Sequence, residues 1–168
     1  MSAKVLIAGI GNIFLGDDGF GVEVASRLMK RRLPDGIVVA DIGVRGLHLA
    51  FALLDKPDLL LVVDAVDRRE APGTLFVIEP RLDGDLPAAA DAHGMSLQTV
   101  IAALRGLGGE VPPILLIGCQ PEFVGERMGL SPAVQEAVAG AVALVERTIA
   151  KTLGRHNYAA ESAAEETA

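Results

Sequence analysis

Three short runs of branched apolar residues, Val5–Ile10, Leu59–Val63 and Ile114–Ile117, constrain this chain more than anything else in it. Each is too short for a buried helix and too continuous for a strand with one wet face, so each predicts a strand covered on both sides. Helical patterns separate them. Phe20, Val22, Val24, Ala25, Leu28 and Met29 share one face after the first strand; Leu97, Val100, Ile101 and Leu104 do so before the last. Strand–helix alternation of this kind implies right-handed crossovers and a mostly parallel sheet between helix layers. The expected fold class is therefore α/β, a three-layer sandwich around a twisted sheet of about five strands.

The remaining elements follow in order. Lys30-Arg-Arg32 closes the first helix, and Pro34-Asp-Gly36 turns the chain into a second strand, Ile37–Asp41. A loop with Gly43 and Gly46 leads to a short helix over Leu47–Leu54, on which His48 reads as a structural or surface residue. Pro72-Gly73 opens a strand over Thr74–Ile78; so short a connection leaves no room for a helical crossover, which predicts an antiparallel strand. From Glu79 to Ala92 the chain is rich in Pro, Asp, Gly and Ala and reads as a mobile connection. Ser96 is a good cap for a helix running to about Leu107, and Ser131-Pro132 opens a final helix to about Leu153. The expected organisation is one domain over 1–153, with a flexible tail over 154–168 that lacks apolar periodicity.

Charge and cysteine content narrow the function. A net charge of −7 argues against nucleic acid or anionic lipid as partner. No apolar run is long enough to span a bilayer and the N-terminus lacks a signal-peptide layout. One cysteine, Cys119, excludes an internal disulfide and suits a reducing compartment, so the expected location is the cytoplasm. With no evident base nearby, Cys119 reads as a buried, inert thiol.

The first strand runs into Gly9-Ile-Gly11-Asn12, which invites comparison with a dinucleotide-binding turn. That fingerprint needs a third glycine where this chain has Phe14. Asp17 and Asp18 then stand where a pyrophosphate would sit, and two carboxylates repel a polyanion. The loop is better suited to a cation. Asp17 can be read as an ordinary acid at a helix start. Asp18, Asp64 at the end of the third strand, and His93 before a helix all fall on loops or strand ends that can open on one edge of the sheet. Two carboxylates and an imidazole suit a first-row divalent ion such as nickel or zinc, and three protein donors leave a position open. Each residue also has an ordinary structural reading, since aspartates commonly serve turns.

The same residues carry a family resemblance. Gly9-Ile-Gly-Asn12 with Gly16-Asp-Asp-Gly-Phe-Gly21, Val63-Asp-Ala-Val-Asp67 with Pro72-Gly-Thr74, His93-Gly-Met-Ser-Leu97, and Gly118-Cys-Gln-Pro121 together resemble the [NiFe]-hydrogenase maturation endopeptidases, from about Lys4 to Thr152. The resemblance implies an aspartyl-type endopeptidase that removes the C-terminal extension of a hydrogenase large-subunit precursor after nickel insertion. It maps the metal-contacting and catalytic positions onto Asp18, Asp64 and His93, with nickel supplied by the substrate, and a monomer is expected. The family's Gly-Thr-x-Gly loop is here Gly43-Val-Arg-Gly46, which removes the threonine hydroxyl. Two other readings compete: a non-catalytic nickel-binding maturation chaperone, and a general metal-dependent aminopeptidase or amidase.

Overall fold

A computed structural model describes residues 2–81 and 96–166 of the chain. The first apolar run forms β1 (Val5–Ile10), wholly buried, and the second and third form β3 (Leu59–Ala65) and β5 (Ile114–Cys119). With β2 (Ile37–Gly43) and β4 (Leu75–Ile78) they make one five-stranded sheet in the order β2-β1-β3-β5-β4. Every pairing is parallel except β4 with β5, which is antiparallel as the Pro72-Gly73 turn demands. β5 runs two residues beyond its apolar run because β4 pairs with it there, Phe76 opposite Gly118 and Leu75 opposite Cys119. The bare Gly118 leaves space that the Phe76 ring fills.

Strand residues alternate between two helix layers. Val5, Ile7, Leu61, Val63 and Ile117 face α1 (Phe20–Met29) and α4 (Pro132–Glu166), meeting Val24, Leu28, Val138 and Val145. Leu6, Ala8, Leu60, Val62 and Leu116 face α2 (Gly46–Leu53) and α3 (Leu97–Gly106), meeting Leu49, Leu53, Val100 and Leu104. Most of these side chains are fully buried, each contributing about 1.5–3 kcal/mol of apolar transfer. The Ser96 hydroxyl caps α3 by accepting from the Thr99 amide at 3.1 Å.

The sequence ends α4 near Leu153, but the helix continues to Glu166. Alanine and glutamate, which dominate that stretch, are strong helix formers and need no apolar stripe to extend an existing helix. No helix among the described residues is long and apolar enough to cross a membrane. His93 lies outside the described residues, as does most of the connection predicted over Glu79–Ala92.

Candidate active site

The loop after β1 is organised by a single 3-10 turn, Gly16–Gly19, that leads directly into α1. Successive residues of such a turn point about 120° apart, so the two adjacent aspartates leave in different directions. Asp18 turns back on its own loop, where its Oδ2 accepts the Asn12 amide at 2.7 Å. It is only 3 % exposed. Gly11, at φ 128, passes so close to the Asp18 carbonyl that no side chain fits there. Asn12 in turn accepts the Phe14 amide on Oδ1, the local bond expected of asparagine in this position.

Asp17 does something its sequence position does not announce. Its side chain is fully buried and reaches across to the segment between β5 and α4. Oδ2 accepts the Glu122 amide at 2.8 Å, the Phe123 amide at 3.0 Å and the Ser131 hydroxyl at 2.8 Å; Oδ1 accepts the Ser131 amide at 2.7 Å. Burial pushes this carboxyl up, but the donors from Phe123, Ser131 and Glu122 outweigh it and hold the group below the usual carboxylate value. The reading of Asp17 as an acid serving its own helix start is therefore corrected: it is a cross-link between two loops.

Close packing sets the turn against the sheet. A Cβ on Gly21 would stand 2.9 Å from the Val63 carbonyl carbon, nearer still to its oxygen, and against the Ile10 carbonyl as well. α1 thus begins pressed onto the carboxyl ends of β1 and β3, and the turn that carries Asp18 contacts β3. Asp64 stands at that end of β3, opposite Gly118 of β5 and 6 % exposed. By alternation it falls on the face covered by α2 and α3. Asp18, in the turn that follows β1, and Asp64, in the last residues of the neighbouring parallel strand β3, therefore lie toward the same end of the sheet, where open α/β sheets bind their ligands. His93, the third expected donor, lies outside the described residues; Ser96, three residues after it, opens α3 on the Asp64 face. Among the described residues no three histidine, cysteine or acidic side chains form a metal-binding group.

Gln120 explains the Gly-Cys-Gln-Pro segment. Its Oε1 accepts the Arg68 and Glu70 amides at 2.8 and 3.2 Å, while Nε2 donates to Asp67 Oδ1 at 3.0 Å and to the Pro121 carbonyl at 3.3 Å. It braces the loop that follows Asp64. Gln120 and the Arg69 amide hold the Asp67 carboxyl below its ordinary value. Cys119 is buried, and burial together with the Asp17 charge pushes its thiol up to about 12, the inert state expected of it. His48 is exposed on α2. In the Gly43–Gly46 loop the Arg45 guanidinium folds back onto the carbonyls of Asp41 and Ile42, closing a loop that has no threonine hydroxyl.

A groove of about 330 Å³ lies beside the turn, lined by Gly16 and Gly19 with Ile13, Glu23, Asp41 and Met128. Two larger cavities lie elsewhere: about 510 Å³ around Arg31 and Glu146, and about 400 Å³ by Lys4 and Gly36, where β1 and β2 begin. None of the three is lined by Asp17, Asp18 or Asp64, so chemistry and not volume selects the site.

Comparison with known proteins shows the family and agrees with the fold. The family model for hydrogenase maturation proteases matches residues 22–148. The chain belongs to the hydrogenase maturation protease family. The hydrogenase expression/formation protein HupD of Bradyrhizobium diazoefficiens is 35 % identical over 155 residues, covering 88 % of this chain and 79 % of its own. The hydrogenase 2 maturation protease of Escherichia coli is 30 % identical over 140 residues, with 80 % and 84 % covered. Among solved structures, the hydrogenase maturating endopeptidase HybD from E. coli superposes with a TM-score of 0.74 at 28 % identity, covering 89 % of this chain and 93 % of that one. The [NiFe] hydrogenase maturation protease HycI from Thermococcus kodakarensis gives 0.71 at 29 %, with 88 % and 93 % covered. The protein is thus a peptide hydrolase with the fold of its family.

Proposed function

We propose that this protease removes the C-terminal extension of a [NiFe]-hydrogenase large-subunit precursor in the cytoplasm, and that it recognises the nickel already inserted in that substrate through Asp18, Asp64 and His93. One observation supports the reading: two nearly buried aspartates, one in the turn after β1 and one at the carboxyl end of the neighbouring parallel strand β3, in a member of the hydrogenase maturation protease family. Carboxylate oxygens and an imidazole nitrogen form a donor set suited to a borderline divalent ion. Three such donors leave a position for the substrate.

The chain's own residues do the positioning. Asp18 is held by the Asn12 amide and by the tight passage of Gly11, so its carboxylate has little freedom to swing away from an arriving ion. Asp64 is fixed by a strand paired on both sides. Ile13, Phe14, Phe123 and Met128 are exposed on the loop after β1 and on the segment between β5 and α4 that is bonded to it, an apolar surface that suits a polypeptide substrate. The substrate's ion, once gripped, holds the scissile peptide in place and supplies Lewis-acid polarisation of its carbonyl or of an attacking water. An ion delivered by the substrate also makes cleavage conditional on nickel insertion. Alanine substitution of Asp18, Asp64 or His93, assayed on nickel-loaded precursor, tests the assignment: each variant loses cleavage, and full cleavage by any of them refutes its role.

A further inference from the structure

Asp17 and Asp18 are consecutive, both nearly or fully buried, and differently engaged, yet only Asp18 has a place in the reading above. The turn that holds them is four residues long and has no side-chain cap of its own. Its outer side is tied to one partner, the segment between β5 and α4. The Gly16 amide donates to the Arg127 carbonyl at 2.7 Å, the Asp17 amide to the Phe123 carbonyl at 3.0 Å, and the Arg127 amide to the Phe14 carbonyl at 3.1 Å. Into this pairing Asp17 adds four hydrogen bonds from side-chain oxygens, reaching residues 105 to 114 positions away. A carboxylate is the one small side chain that can accept all four, because every partner is a donor.

We infer that Asp17 is the positioning residue of the site: its charge clamps the turn to the segment 122–131, and that clamp sets where Asp18 stands. The inference rests on the assignment of Asp18 above. In an Asp17→Asn variant one oxygen becomes an NH₂ group, and either way round the amide sets a donor against an N–H or O–H donor. The turn is then held to the outer segment by its backbone bonds alone, while Asp18 keeps its own bond to Asn12. A displacement of roughly 1 Å at a reacting group costs about 10²-fold in rate.

The test measures kcat and KM on nickel-loaded precursor for wild type, Asp17→Asn, Ser131→Ala and Asp18→Asn, with circular dichroism to confirm the folded fraction. Asp17→Asn is expected to lose about 10²-fold in kcat per folded molecule and to raise KM as well, because a displaced Asp18 both misplaces the scissile peptide and grips the substrate's ion less well. Faster hydrogen exchange at the Phe123 and Ser131 amides accompanies it. A purely structural role lowers the melting temperature and leaves kcat per folded molecule alone, and that result overturns the inference. Should Asp17→Asn fail to fold, Ser131→Ala removes only the hydroxyl bond, and it must show a smaller fall in the same parameter; an unchanged kcat there is equally fatal. If Asp18→Asn is inactive while folded Asp17→Asn cleaves normally, only the positioning role falls. If Asp18→Asn cleaves normally, the site assignment beneath it falls first.

Discussion

Replacing Gly21 by alanine tests whether the close approach of α1 to the sheet builds the site. The added Cβ would lie 2.9 Å from the Val63 carbonyl carbon, closer to its oxygen, and against the Ile10 carbonyl on its other side, where ordinary contact is 3.4–4 Å. Both obstacles are backbone in buried, paired strands, so no rotamer change relieves them; α1 must lift by roughly 1 Å, at the upper end of the 1–3 kcal/mol typical of overpacking. Taking about 3 kcal/mol and about 2–4 °C per kcal/mol for a chain of this size, the melting temperature falls by about 6–12 °C. Calorimetry or urea titration reads this, and cleavage should fall with it because the turn carrying Asp18 lifts too. Gly106→Ala is the control: nothing lies within 4 Å of its Cβ, so stability holds or rises by up to about 1 kcal/mol. A Gly21→Ala melting temperature equal to that of wild type would refute the packing argument.

Cys119 should resist alkylation in the native protein at pH 8 and label fully once unfolded, as read by mass spectrometry. Because its folded-state value, about 12, lies above the ordinary 9.0, the thiol's contribution to stability is complete below pH 9 and is lost as pH rises toward 12; Cys119→Ala should flatten that alkaline limb. Gln120→Ala leaves the Arg68 and Glu70 amides without their acceptor and should cost about 1–2 kcal/mol in urea titration, together with slower cleavage as the loop after Asp64 loosens. Unchanged stability would remove Gln120 as the brace of that loop.

The fold was legible because its strands are buried on both faces and therefore write themselves as unbroken apolar runs, and because the Pro72-Gly73 connection permits only one strand direction. The end of α4 was not, since the alanines and glutamates after Gly154 carry helix propensity without the periodicity that marks a packed face. Asp18 and Asp64 could be picked out as carboxylates placed after parallel strands. The role of Asp17 could not: its partners are backbone amides, which no residue type encodes, more than 100 positions away. Gln120 was visible only through its motif, and its bonds to the loop after Asp64 needed coordinates.

The central claim is that the ion in the substrate, gripped by this chain's own aspartates, licenses the cut. Its most direct measurement is cleavage of one precursor prepared with and without nickel, by wild type and by Asp18→Ala, Asp64→Ala and His93→Ala. The account predicts processing of the loaded precursor by wild type alone. Equal cleavage of the nickel-free precursor, or processing by the variants at the wild-type rate, would contradict it.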